Sequence, residues 1–317
     1  PKAPWNLAEA RRISPLPTPV LPAIIAPMLG LILKSLRPRQ WPKNAFIFAA
    51  LVFDRQLFSP IPFLRIAAGF LLLCLASGLV YIINDLVDLP FDRQHPTKRN
   101  RPLASGRLSV EAGRAAAAIL TAVTLAASLA LNLNFALIVA AYFVSNLLYS
   151  FWLKHIPIID VFVVASGFVL RVAAGVVLLT VERFSPWLYV CTTLLALYIG
   201  FGKRRAEMVL LAEGANAHRR VLDGYTIPLL DNLIIIVSGT SIVAYSLYTF
   251  SAVNLPSNHL MMLTIPFVMY GIFRYLLLIH VNNAGGAPEE MLLSDRPLLA
   301  TVLLWGLSSV AILYFGP

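Results

Sequence analysis

The chain has 317 residues, 59% hydrophobic and 13% charged, and its 25 Lys and Arg against 15 Asp and Glu give a formal net charge of +10. Soluble domains carry about 25% charged residues, so this composition, with a mean hydropathy of +0.78, excludes a soluble nucleic-acid binder and marks an integral membrane protein. Cys74 and Cys191 lie far apart in apolar runs and give no disulfide framework, and the five histidines are scattered, without zinc or haem spacing.

Residues 1–36 are proline-rich and lack the shape of a signal peptide. They read as an N-terminal arm, disordered or interfacial, with its last turns on the membrane. Residues 37–317 read as a single all-α, polytopic transmembrane domain. A span needs about 20 apolar residues, and nine candidates follow: 43–59, 62–86, 110–131, 134–153, 157–180, 186–207, 227–251, 258–280 and 297–316. The first is the weakest, because Asp54 and Arg55 fall near its end. Period-2 alternation is absent, which favours a helical bundle over a barrel. With the N-terminus in the cytoplasm, twenty basic residues fall on the inner side against three, Arg55, Arg65 and Arg183, on the outer. That positive-inside bias places the polar loops on the cytoplasmic face, onto which a polar cavity is expected to open.

In chain order, Arg37-Pro38-Arg39-Gln40-Trp41-Pro42-Lys43-Asn44 precedes the first span. Trp41 suits an interface anchor, and the cations suit lipid headgroups or an anionic substrate. Asn84-Asp85-Leu86-Val87-Asp88-Leu89-Pro90-Phe91-Asp92 ends the second span. Acid there opposes the helix macrodipole and is costly in a membrane unless it has a function. Spacing i, i+3, i+7 sets Asp85, Asp88 and Asp92 near one helix face. Hard oxygen donors suit Mg²⁺ completed by water and substrate phosphates, which makes Asn84, Asp85, Asp88 and Asp92 the metal candidates. Pro90 is expected to kink or end the helix, so that Asp92 arrives from a bent segment.

The following loop carries Lys98, Arg99 and Arg101, suited to phosphate beside a metal, although basic loops between spans are mostly orientation signals. Tyr149, Lys154, Asp160 and Arg171 come next. Asp160 and Arg171 share one span, three helical turns apart, and must be paired or line a polar cavity. Lys203, Arg204 and Arg205 end a later span, where snorkelling is the ordinary explanation, and Glu207 is positioned to pair with Lys203.

Together these segments resemble the UbiA-type superfamily of intramembrane prenyltransferases, marked by an N-D-x-x-D-x-x-x-D motif at the end of the second span. The usual second acidic pair is reduced to Asp160, because position 164 is valine. R-P-R-Q-W-x-K-N (37–44), H-P-T-K-R-x-R-P (95–102), L-K-H (153–155) and G-K-R-x-A-E (202–207) are similar to the decaprenyl-phosphate phosphoribosyltransferase branch. That resemblance implies transfer of 5-phosphoribose from phosphoribosyl pyrophosphate to a polyprenyl phosphate, towards lipid-linked arabinose for cell-wall glycans. It implies Mg²⁺, catalytic roles for Asp85, Asp88, Asp92 and Asp160, and substrate binding by Lys43, Asn84, Lys98, Arg99, Arg101, Tyr149, Lys154, Arg171, Lys203 and Arg204. A bacterial plasma-membrane location, a cytoplasmic site, no nucleic-acid partner and a homo-oligomer go with it. The alternatives are a conventional prenyltransferase joining a prenyl diphosphate to an aromatic acceptor, and a transporter.

Overall fold

The structure is a computed structural model that describes residues 21–180, 185–212, 220–252, 254–282 and 285–316, excepting the side chains of 21–27, 211, 212, 220 and 289. Residues 1–20 of the expected arm, and Arg183 and Arg219 of the orientation count, lie outside the described residues. The helices are α1 (Leu21–Ser35), α2 (Phe48–Phe53), α3 (Pro60–Val87), α4 (Leu89–Gln94), α5 (Val110–Leu131) and α6 (Leu133–Phe151). They continue with α7 (Ile159–Leu178), α8 (Trp187–Ala212), α9 (Ile227–Ser251), α10 (Ile265–His280), α11 (Pro288–Ser294) and α12 (Arg296–Phe315). Among the described residues the architecture is all-helical.

Helix starts follow local chemistry at both ends of the bundle. Side-chain oxygens of Ser109, Asn132, Thr226 and Asp295 accept the backbone N–H groups of Ala112, Phe135, Leu229 and Leu298. Each satisfies one of the donors that a helix N-terminus leaves orphaned. Prolines stand in the first turn of α3, α9, α10 and α12, where a missing N–H costs nothing.

Among the described residues, seven segments are long and apolar enough to cross a membrane: 60–87, 110–131, 133–151, 159–178, 227–251, 260–280 and 296–315. Two of the nine expected spans differ. The 186–207 span is helix α8, of 26 residues, whose C-terminal part from Lys203 on carries Lys203, Arg204, Arg205 and Glu207 and lowers its apolarity. The 43–59 span is not one α-helix. Pro38–Ile47 forms a 3-10 segment of 10 residues, followed by the 6-residue α2 and a turn at Asp54. Pro38 and Pro42 remove backbone donors there, which disfavours a regular α-helix.

That segment nevertheless runs end to end inside the bundle. Arg37, just before it, reaches Asp85 at one end. At the other, the Tyr314 hydroxyl bonds the carbonyls of Leu51 and Val52. Ile47 and Leu51 are fully buried. Two glycines make room: a Cβ on Gly175 would stand 2.2 Å from the Ile47 carbonyl oxygen, and one on Gly69 would meet Leu178 and Ile47.

Three apolar clusters hold the helices. One gathers α3, α5, α6 and α7 around Ile47, Leu79 and Phe135. A second joins α7 to α12 around Tyr198, Phe201 and Ile234. The third is an aromatic group of Phe53, Tyr245, Tyr248 and Trp305. Exposed Leu137, Ile235, Ile236, Leu304 and Leu307 face outward, as a lipid-facing surface requires.

Candidate active site

The acidic motif straddles a helix break. α3 ends at Val87, Asp88 caps it, and α4 begins at Leu89 with Pro90 in its first turn, as Pro90 foretold. Asp85 and Asp92, each 2% exposed, therefore come from two helices and meet at one corner. Arg37 Nη2 donates to Asp85 Oδ1 at 2.5 Å. Arg101 Nη1 stands between the two carboxylates, 3.1 Å from Asp85 Oδ1 and 2.6 Å from Asp92 Oδ2. Asn84 Oδ1 accepts from Ser150 at 2.7 Å, which ties α3 to α6. Asp88 is half-buried beside them. A pocket of about 290 Å³ opens here, bounded by Lys34, Arg37, Asp85, Thr97, Asn100 and Arg101.

Among the described residues no three His, Cys, Asp or Glu side chains form a ready-made metal cage. The donor set still fits a hard divalent ion. Mg²⁺ is held by one or two carboxylates plus substrate phosphates and water, and the Arg101 guanidinium already marks where one cation serves both carboxylates.

Asp160 sits in the first turn of α7, fully buried. Its Oδ2 accepts from Arg204 Nε at 2.6 Å and its Oδ1 from the Tyr225 hydroxyl at 2.7 Å. A γ-turn sets its position: Ile158 has φ 70 and ψ −51, and the Ile159 N–H bonds the Pro157 carbonyl at 2.8 Å. That conformation is strained for a β-branched residue. It is clasped by Tyr225, whose hydroxyl accepts the Ile158 N–H at 2.5 Å. Burial, and then the bond to Asp160, raise the Tyr225 phenol above its usual range. Glu207 pairs with Arg204 at 2.7 Å, three residues before it on α8.

Asp160 and Arg171 do not pair, since eleven residues place them about 16 Å apart along the helix. Arg171 Nε donates to Asn44 Oδ1 at 2.8 Å, Nη1 to the Gly167 carbonyl at 2.7 Å, and Nη2 to the Tyr142 hydroxyl at 3.0 Å. Asn44 in turn donates to Ser77 at 3.1 Å. The guanidinium thus fastens the 3-10 segment to α3, α6 and α7 from within.

The expected polar cavity is divided. Beside the small polar pocket lies an apolar cavity of about 710 Å³, rimmed by Arg39, Lys43 and Lys203 and reaching past Tyr198 to Trp187, Tyr248 and Trp305. Lys203 and Trp187 are sixteen residues apart on α8, so it is about 24 Å long. Apolar side chains from seven helices, α2 and α7 to α12, build it, which is why single-span hydropathy did not announce it. Of the other expected residues, Lys98 and Arg99 are exposed on the loop after α4, and Tyr149 and Lys154 are half-buried at the end of α6. Arg37, Asn44, Tyr142 and Tyr225 are the additions. Arg37 and Asn44 stood in the quoted 37–44 segment, and an intramembrane Arg171 called for polar partners.

A model of the UbiA prenyltransferase family matches residues 44–294. The chain belongs to that family. Decaprenyl-phosphate phosphoribosyltransferase of Mycolicibacterium smegmatis is 33% identical over 302 residues, 90% of this chain and 93% of that protein. Its namesake from Corynebacterium glutamicum is 31% identical over 293 residues, 90% of this chain and 87% of that one. A UbiA homolog from Archaeoglobus fulgidus, solved bound to GPP and Mg²⁺, superposes with a TM-score of 0.68 at 18% identity, covering 89% of this chain and 99% of the other. At that identity the likeness carries the UbiA fold.

Proposed function

We propose that this UbiA-family protein transfers 5-phosphoribose from phosphoribosyl pyrophosphate to a polyprenyl phosphate, decaprenyl phosphate by analogy with its relatives, releasing pyrophosphate. The observation that carries the reading is the pairing of two distinct anion positions with one acidic corner. Lys34, Arg37 and Arg101 surround the pocket at Asp85, and Arg39, Lys43 and Lys203 rim the apolar cavity. A water-soluble diphosphate suits the first, and a phosphate on a long apolar chain suits the second. Asp160, the remnant of a second acidic motif, has both oxygens engaged by Arg204 and Tyr225.

Asn84, Asp85, Asp88 and Asp92 would hold Mg²⁺, which neutralises charge on the departing pyrophosphate. Lys98, Arg99, Arg101 and Lys154 would meet phosphate oxygens of the substrates, and Tyr149 stands near Arg204. Lys43 and Lys203 orient the lipid phosphate, already an anion near neutral pH, so that its oxygen attacks the anomeric carbon as the bond to pyrophosphate breaks. Direct displacement inverts that carbon. Arg171 and Arg204 position the segments that carry these groups. The excess of basic loops at this end supports a site on the cytoplasmic side of a bacterial plasma membrane, and the family resemblance adds a homo-oligomer over a single domain of residues 37–317.

Purified protein with Mg²⁺ and decaprenyl phosphate is expected to move label from phosphoribosyl pyrophosphate into the lipid phase, and EDTA is expected to stop it. Label moving only from a prenyl diphosphate to an aromatic acceptor would overturn the proposal.

A further inference from the structure

Buried carboxylates at the C-terminal end of a helix carry two costs, lost hydration and the negative end of the macrodipole. Asp85, in the last turn of α3, carries both costs, and Asp92, in the first turn of α4, carries the first; each is 2% exposed. Two guanidiniums, from Arg37 and Arg101, offset those costs. Two monovalent cations balance these two monoanions. One divalent cation on the same carboxylates would do the same. A divalent ion added while both arginines stay would set four positive charges against Asp85, Asp92 and the neighbouring Asp88, an excess of positive charge in a half-buried pocket.

The arginines have somewhere else to bind. Both border the 290 Å³ pocket, and their side chains are 29% and 27% exposed, against 2% and 3% for the carboxylates they hold. Arg37 also has a left-handed backbone, φ 51 and ψ 66, uncommon outside glycine. Its guanidinium lies 4.4 Å from the Tyr81 ring centroid, which supports the plane from one side and leaves the fork at its edge. That fork matches phosphate oxygens bidentately.

We propose that Arg37, together with Arg101, is an exchange counterion: it neutralises Asp85 in the empty site and passes to the donor's diphosphate when a divalent cation takes the carboxylates. Metal and donor then bind as a pair, each weakly without the other. The inference rests on the phosphoribosyltransferase reading only for the donor's identity, because it uses nothing of the donor but its diphosphate.

The test is Mn²⁺ binding, followed by electron paramagnetic resonance, on the purified full chain in lipid nanodiscs, with and without inorganic pyrophosphate. Wild type is expected to bind Mn²⁺ weakly alone and at least about tenfold more tightly with pyrophosphate. Removing one charge-assisted contact by Arg37→Gln should tighten Mn²⁺ alone by about tenfold and abolish most of the pyrophosphate enhancement. Arg101→Gln should act in the same direction, and Asp85→Asn should lose the Mn²⁺ signal. A merely structural role for Arg37 would weaken metal binding or leave it alone. If neither arginine variant tightens Mn²⁺ in the absence of pyrophosphate, the exchange is wrong. Pyrophosphate is common to ribosyl and prenyl donors, so this outcome is independent of the label-transfer assay: a prenyl donor there would change the substrate and leave the exchange standing.

Discussion

Asp160→Asn separates two roles for that carboxylate. The side chain is fully buried, and that of its partner Arg204 is 5% exposed. Removing one member of a buried pair costs about 3–5 kcal/mol, mostly because the remaining charge is stranded. Arg204 keeps Glu207 at 2.7 Å, and asparagine still offers Tyr225 an oxygen, so the lower end, about 3 kcal/mol, is expected. Large membrane proteins often unfold irreversibly, so the readout is the half-inactivation temperature at one fixed heating rate. Arg204→Met and the double variant complete a cycle, and a pairwise interaction makes the double loss smaller than the sum of the singles by about 2 kcal/mol or more. Both Asp160 oxygens already accept hydrogen bonds, so the Mg²⁺ activation midpoint of Asp160→Asn should match wild type at a temperature where both are folded. A midpoint shifted tenfold or more, with little loss of thermal resistance, would make Asp160 a metal ligand and refute the reasoning.

Gly175→Ala should destabilise by about 1–3 kcal/mol, the range for overpacking, because its Cβ would stand 2.2 Å from a backbone oxygen of Ile47. Gly239→Ala, with nothing within 4 Å, is the control, and equal thermal resistance in the two would discount the close approach. Lys43→Ala and Lys203→Ala should raise the apparent KM for the lipid phosphate about tenfold or more, the scale of a lost charge-assisted hydrogen bond, while the donor's KM stays; saturation curves for both substrates decide it. Asp295 is held below the usual carboxylate range, first by the Arg274 guanidinium and also by the Leu298 N–H. A depressed folded pKa adds stability above the unfolded value of about 3.9, lost as pH falls through the folded one. Asparagine keeps the α12 cap, so Asp295→Asn should be less heat-resistant than wild type at pH 6, with the gap closing below about pH 4. A gap that does not narrow as the pH falls below about 4 would exclude the ion pair as its source.

Much of the bundle was legible because hydropathy reports each span separately. The α3, α5 and α9 helices fall within a few residues of expectation, and Asp85, Asp92 and Arg101 converge as a motif of acids followed by cations suggests. What sequence concealed were arrangements made by several elements at once. Hydropathy detects apolar length and cannot tell an α-helix from a 3-10 segment, so 43–59 read as a span, though the weakest of the nine. Helical spacing proposed Lys203 with Glu207, and the pair of Arg204 with Glu207, three residues apart, went unnamed. Asp160 and Arg171, on one helix, called for buried partners or a polar cavity. Their true partners lie on α8 and beyond α8 for Asp160, and on the 3-10 segment and α6 for Arg171, at separations no local pattern encodes.

A division of labour between the two basic residue types follows. The ion pairs described above, Asp85 and Asp92 with Arg37 and Arg101, Asp160 with Arg204, and Asp295 with Arg274, are made by arginine. Lys34 borders the small pocket and Lys43 and Lys203 rim the apolar cavity. A planar, weakly hydrated fork is suited to holding a carboxylate in a dry interior, and a compact, strongly hydrated ammonium on a flexible stem is suited to an opening where an anion arrives with its water. Under the proposed reaction the buried arginines set the shape of the bundle's charged end, and the lysines, with Arg39 on the cavity rim, would meet the incoming phosphates. Arg37 and Arg101 belong to both groups: they hold carboxylates and border a pocket. Exchanging either for lysine should preserve the charge balance and lose the bidentate fork, so Arg37→Lys should keep the weak metal binding of wild type and still bind pyrophosphate less well. Wild-type pyrophosphate affinity in that variant would show that charge alone, and not the fork, receives the donor.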